Sequence, residues 1–345
     1  MDDSIGIDLG EMQVRVSSIR RKGKLFEAVN MGSLEIDPAF LRSDSAKLLE
    51  KTASDLSSLI KQLKIKQKSA KVVIPDSYSY NHITSMPKLN EKELLSAIKF
   101  QADQFIPMPL DEVNMDIEIL YEDKKNKQIL TLISAAAKSL ISKVENLMEY
   151  TGLFPETIET ETTATGRLVS ELFKKDLKQM PEKHDAILFI NAGYSSTSLY
   201  LLDQNLGVLL LVNNFSLGYN LFLKEIEVNL NVDQKKATEL IKSFGLGQGT
   251  SYHLDTILAP ALKNFISEVE RFINGAIGKN KVQITTIYLF NYGSYFNSFD
   301  QVLSKYFGIP TSFLNLYSFF TKNSIVDFLR NDLGVFVSSV GALLR

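Results

Sequence analysis

Ala186-Ile187-Leu188-Phe189-Ile190-Asn191-Ala192-Gly193 is an apolar run that ends in a turn of small residues, and the same plan stands near the start of the chain as Ile5-Gly6-Ile7-Asp8-Leu9-Gly10. Two further strand-like segments follow each run. In the first copy they are Gln13 to Ile19 and Leu25 to Ile36, joined by Lys22-Gly23-Lys24; in the second, Ser196 to Leu202 and Val208 to Asn213, joined by Asn205-Leu206-Gly207. Apolar runs bounded by glycine turns predict strands. Setting Asp8 against Asn191 and Gly10 against Gly193 superimposes the copies, so the chain reads as a duplicated strand-turn-strand-turn-strand unit. Two such units face to face bring two glycine-bearing hairpins together across a cleft. Backbone N–H groups there converge on an anion, commonly the phosphates of a nucleotide.

Between the copies, Ala46 to Leu63 predicts a helix and Lys71 to Pro75 a short strand. The stretch Met86 to Leu120 predicts a helix over Glu91 to Phe105, with Asn90 as N-cap and Glu93 as its capping-box partner, stopped by Pro107 and Pro109. Leu94, Ile98, Gln101 and Phe105 share one face of it. Ile106-Pro107-Met108-Pro109-Leu110 is then extended and apolar, suited to lining a surface or groove; packing within a core explains the same residues. Strands over Val113 to Tyr121 and Gln128 to Ala137 follow, then a helix over Ser139 to Thr151. After the second copy the pattern predicts helices through Leu230, from Val232 to Phe244 with Asp233 as N-cap, and from Leu258 to Ile277. A strand Gln283 to Phe290, a turn Asn291-Tyr292-Gly293-Ser294, a helix to Phe307, a short strand after Pro310 and a helix Val335 to Leu344 complete it.

A chain of 345 residues is long enough for two lobes with separate cores. Its 45% hydrophobic and 23% charged content is that of an ordinary globular protein. With no cysteine, disulfides and thiol chemistry are excluded, which suits a reducing cytoplasm. Lys+Arg 38 against Asp+Glu 40, without a basic cluster, argues against nucleic acid. The acidic start is no signal peptide, and the longest apolar run, Val208 to Val212, is far short of a membrane span. His82, His184 and His253 lack a second ligand at metal spacing, and no Ser, His and acid grouping supports nucleophilic catalysis.

The order Met86-Pro87, Glu91, Ala97-Ile98, Ala102-Asp103-Gln104, Ile106-Pro107 and Pro109-Leu110-Asp111-Glu112-Val113 resembles the signature of the PilM family of type IV pilus assembly, with Phe105 and Met108 in place of a tyrosine and a phenylalanine. The duplicated hairpins resemble the wider actin and sugar-kinase superfamily to which that family belongs. The resemblance implies an α/β, actin-like (ribonuclease H-like, duplicated) two-lobed fold with an inserted 1C-type subdomain, as in FtsA. The expected division is a first lobe over 1–85, completed by 155–183 and 331–345, the insert over 86–154, and a second lobe over 184–330. It also implies a connecting helix over Ile158 to Phe173 and nucleotide contacts at Asp8, Gly10, Glu161, Asn191, Gly193, Ser195, Ser196, Gly218, Glu239, Lys242 and Gly293, with a magnesium contact at Asp8.

Three departures bear on that chemistry. Asn191 stands where the superfamily has a second acid, which weakens Mg²⁺ affinity and water activation. Glu11 follows the first glycine, where a carboxylate repels phosphate at close range. The adenosine turn carries Tyr292, whose ring takes space that adenine would use. ATP and Mg²⁺ are therefore expected to bind weakly or not at all, without hydrolysis. The resemblance implies a cytoplasmic scaffold held at the inner face of the membrane by a PilN-like bitopic protein. That partner's N-terminal peptide would lie in a groove lined by Ile98, Phe105, Met108 and Leu110. Contact with the pilus motor ATPase and self-association are further implied partners. Two alternatives are a small-molecule kinase or ATPase of the same superfamily, disfavoured by Asn191, and an FtsA-like filament protein, disfavoured by the lack of an amphipathic tail after the closing helix.

Overall fold

Strand pairing follows directly from the two apolar hairpins. In the computed structural model, which describes residues 4–89, 93, 96–98, 102, 104–175, 184–247, 252–280 and 282–345, β1 (Ser4–Leu9), β2 (Gln13–Lys22) and β3 (Leu25–Glu35) form an antiparallel meander. β4 (Ser69–Ile74) and β8 (Phe154–Thr160) extend it in parallel, giving the order β3-β2-β1-β4-β8. β9 (His184–Ala192), β10 (Thr197–Asp203), β11 (Val208–Phe215), β12 (Val282–Asn291) and β13 (Thr311–Phe313) repeat that plan in the order β11-β10-β9-β12-β13. The copies agree in register: Asp8 lies opposite Arg15 in the first, and Asn191 opposite Ser198 in the second.

Parallel neighbours need crossovers, and helices supply them. α1 (Ala46–Gln62) starts at Ser45, whose side chain accepts the Leu48 N–H, and joins β3 to β4. Residues 93, 96–98, 102 and 104–105 are helical and mark α2; Asn90, Glu91, Leu94 and Gln101 lie outside the described residues. α3 (Lys138–Thr151) ends at Gly152, whose φ of 74° is a left-handed cap that glycine adopts without strain. α4 (Glu161–Phe173) links the lobes, and α5 (Tyr219–Leu230), α6 (Gln234–Ser243), α7 (Leu254–Asn280) and α8 (Phe299–Phe307) belong to the second. α9 (Ser324–Phe328) precedes α10 (Val337–Ala342), which returns to the first lobe and packs against β1 and α4. Among the described residues no helix is long and apolar enough to cross a membrane.

Three boundaries differ from the sequence reading. A separate antiparallel sheet, β5-β7-β6, is made by β5 (Ser79–Pro87), β6 (Val113–Asp123) and β7 (Gln128–Ala137), so the inserted sheet begins at Ser79 rather than at 86. It also ends before α3. Leu140, Val144, Leu147 and Met148 of that helix are buried with Leu56, Val72 and Ile74 in the core of the first lobe. The expected helix from Ile158 is a strand as far as Thr160, whose hydroxyl accepts the Thr163 N–H and starts α4. Parallel pairing with β4 wins there because β-branched Thr157, Ile158 and Thr160 suit a pleat, and a short apolar run does not distinguish strand from helix.

The last turns of the chain sit so close to the first lobe that only glycine fits. A Cβ on Gly6 would lie 1.9 Å from the Ser339 carbonyl oxygen, and one on Gly341 would lie 2.1 Å from that of Ala164. Both obstacles are backbone, which yields only if α10 moves. Gly341→Ala is expected to cost about 1–3 kcal/mol, as overpacking does. Urea unfolding measures it, and a loss below about 0.5 kcal/mol, the range of a surface change, would contradict this close approach.

Candidate functional site

The two hairpin turns meet between the lobes. Glu11 leaves the first turn and its Oε1 accepts hydrogen bonds from Ser77 Oγ at 3.1 Å, Ser195 Oγ at 2.6 Å and the Ser195 N–H at 3.3 Å. Ser196, next in the second turn, accepts from Asn214 Nδ2 at 3.0 Å. Gly218 is pressed against that turn, since a Cβ there would stand 2.3 Å from the Tyr194 carbonyl oxygen. Gly10 and Gly193 are less tightly held: a Cβ would be 2.8 Å from the Gln13 oxygen and 2.7 Å from the Ser196 oxygen, respectively.

Below the turns lies a buried polar network that spans both lobes. Arg15, only 1% exposed, donates from Nη1 to Asp8 Oδ2 at 3.0 Å and from Nη2 to Asn291 Oδ1 at 2.8 Å. Asn291 Nδ2 donates to Asn191 Oδ1 at 2.9 Å. Asp76 closes the other end, accepting from the hydroxyls of Tyr200 at 2.7 Å, Ser198 at 2.8 Å and Thr162 at 2.9 Å, and from the Thr162 N–H at 3.0 Å. The Asp76 N–H donates to Glu161 Oε2 at 3.0 Å. Three carboxyls thus share the neighbourhood of one cation. Burial pushes Asp8 up and Arg15 opposes it; burial also pushes Asp76 up, against its hydroxyl donors. Burial followed by the charges of Asp8 and Asp76 drives Glu161 well above the ordinary carboxylate range.

The space left is small. A void of about 10 Å³ is bounded by Gly10, Glu11, Arg15, Glu161, Asn191 and Tyr292, the size of a single water site. Beside it a hollow of about 80 Å³ is walled by Tyr194, Tyr219, Tyr292 and Tyr295. The Tyr219 and Tyr292 rings stack at 5.4 Å, and Lys242 Nζ lies 4.3 Å from the Tyr295 ring centre. Gly293 turns the chain against Ala192. Glu239 does not line the hollow; it is exposed on α6 and pairs with Lys236 at 3.2 Å. Glu11 thus takes up the Ser77 and Ser195 donors of the two turns, and the tyrosine rings occupy the adjoining space. Among the described residues no three His, Asp or Glu side chains are grouped to hold a metal ion.

A larger opening runs beside the inserted sheet. β6 is an edge strand, with β7 on one side only, and its residues Glu118, Ile119 and Leu120 form one wall of a groove of about 770 Å³. Thr163, Gly166, Arg167 and Ser170 of α4 also line it, together with Leu132, Leu209, Phe26 and Phe319. At Thr163 the groove meets a second hollow of about 120 Å³, bounded by Asn114, Asp116, Ser134, Ile158 and Glu159. Arg167 pairs with Glu159 across this junction at 3.0 and 2.7 Å.

The family of type IV pilus assembly protein PilM matches residues 6–345. The chain belongs to the PilM family. It is similar to the structure of a PilM-PilN type IV pilus biogenesis complex, with a TM-score of 0.83 and 19% identity over 99% of this chain and 98% of that one. The ethanolamine utilization protein EutJ from Carboxydothermus hydrogenoformans matches at a TM-score of 0.54, with 10% identity over 99% and 88% of the two chains. MreB 5 of Spiroplasma citri bound to AMPPNP matches at 0.52, with 12% identity over 99% and 95%. These likenesses bear out the actin-like fold and the resemblance read from the hairpins and from the Met86 to Val113 stretch.

In this PilM-family chain the four expected groove residues are packed elsewhere. Ile98 is fully buried with Met86, Ile129 and Ile133, and Phe105 packs beside it with its ring stacked on His82 at 4.9 Å. Met108 and Leu110 are half-buried against Ala102, Ile106, Val113 and Ala135. They form the core between α2 and the inserted sheet. Ile129, Ile133 and Ala135 of β7 face that core, whereas Leu130 and Leu132 point to the opposite side, where the groove lies. An apolar helical stripe needs a sheet face to bury, and the alternation of β7 supplies one on each side. Arg15 and Asp76 went unnoticed in the sequence. The signal for Arg15 was a charge between Val14 and Val16, seven residues after Asp8, where the hairpin register puts the two opposite each other.

Proposed function

We propose that this chain is a scaffold in type IV pilus assembly that holds the N-terminal cytoplasmic segment of a PilN-like inner-membrane protein, while its interlobe cleft binds ATP weakly or not at all and does not hydrolyse it. The observation that carries this reading is the contrast between the open groove along β6 and the filled cleft. An extended peptide added to a free sheet edge gains main-chain hydrogen bonds, and alternate side chains find apolar pockets. Leu120, Leu132 and Leu209 offer such pockets, and Arg21, Lys24, Glu118 and Glu171 give the rim its polar contacts. Membership of the PilM family and likeness to the PilM-PilN complex support the choice of partner. Held in this way, the protein would sit at the inner face of the membrane through its partner.

A fluorescent peptide with the first residues of the PilN-like partner is expected to bind at micromolar strength or better. Ser170→Arg, which puts a long charged side chain into the groove, should weaken it about tenfold or more, roughly 1.4 kcal/mol. The variant should unfold within about 0.5 kcal/mol of the wild type, because Ser170 is a half-exposed position. No binding to wild type, or equal binding to the variant, would defeat the reading. Millimolar MgATP should leave the melting temperature unchanged, since only a ligand that favours the folded state raises it.

A further inference from the structure

Glu11 bonds residues of both lobes and is only 7% exposed. One of its carboxylate oxygens collects donors from both sides: Ser77 Oγ follows β4 in the first lobe, while Ser195 Oγ and the Ser195 N–H belong to the second hairpin. Hydroxyls and a turn N–H converging on one anionic oxygen are the makings of an oxyanion site. The donor set is larger than Glu11 uses. Arg15 borders the same void, and its Nε, like Asp8 Oδ1, is buried without a hydrogen-bond partner.

We propose that Glu11 is a built-in ligand of an oxyanion site between the lobes, holding them together with the chain's own carboxylate and excluding a phosphate-class anion by occupancy and charge. The inference rests on the reading of the cleft given above and assigns its cause to one side chain. Removing the carboxylate frees three donors and takes a negative charge from the wall of the void that Arg15 also borders. A phosphate-class anion supplies the oxygens that the freed donors and Arg15 Nε lack.

The test is calorimetric titration of wild type, Glu11→Ser and Glu11→Gln with inorganic tripolyphosphate, each variant checked for a native melting transition. Glu11→Ser is expected to bind about tenfold more tightly than wild type or better, the worth of one charge-assisted hydrogen bond, with Glu11→Gln in between. If Glu11→Ser fails to fold, the isosteric Glu11→Gln decides alone, since it keeps the shape and loses the charge. No gain in either folded variant, with the wild type also silent, overturns the proposal and leaves the reading of the cleft intact. Tight binding of tripolyphosphate or MgATP by the wild type overturns both.

Discussion

Arg15→Met is expected to lower the unfolding free energy by about 3–5 kcal/mol, the cost of stripping one partner from a buried ion pair. The guanidinium is 1% exposed and joins Asp8 in the first lobe to Asn291 at the end of β12 in the second. Its loss leaves Asp8, Asp76 and Glu161 buried together with no neutralising charge. Protonation relieves that strain, so the cost should shrink as pH falls. Adding Asp8→Asn to Arg15→Met should recover much of the loss, because the charge left alone is removed as well. Urea unfolding of the wild type, both single variants and the double variant gives the cycle. A loss under about 1 kcal/mol for Arg15→Met at neutral pH would mean that the pair is far better solvated than its burial indicates.

Glu161→Gln is the second large effect, and it raises stability. Burial and the neighbouring carboxylates put the Glu161 pKa well above its ordinary value of 4.5. The folded state therefore binds its proton more tightly than the unfolded chain does. The resulting stability is complete below the unfolded carboxylate range and is lost as pH rises through it towards the folded value. Within that window each pH unit costs up to about 1.4 kcal/mol for one proton. Glutamine carries no charge to desolvate and still accepts the Asp76 N–H through its amide oxygen. The variant should match the wild type near pH 4 and exceed it increasingly at neutral and alkaline pH. Equal slopes of stability against pH for the two proteins would refute the assignment of this proton to Glu161.

Much of the frame was legible because it is local. An apolar run, a small-residue turn and a second alternating run make a hairpin wherever they occur, so the two copies and their equivalence of Asp8 with Asn191 could be read off directly. The cap of α6 at Asp233 was legible for the same reason: its side chain accepts the Lys236 N–H within one turn. The site was legible only in part. Glu11 and Tyr292 were noticed as misfits for a nucleotide, but not that Glu11 would join the hairpins or that Tyr292 would stack on Tyr219.

What the sequence determined by itself was the duplicated meander, the family and the departures in its cleft, because each rests on residues within a few positions of one another. What only the tertiary structure decided was which partners those residues find. Arg15 reaches Asn291 across 276 positions, a pairing that no period or spacing encodes. Two strands of the inserted sheet, over Val113 to Tyr121 and Gln128 to Ala137, could be read from their apolar runs. Which face α2 would cover, and which would be left open beside α4, depended on how the lobes pack around it.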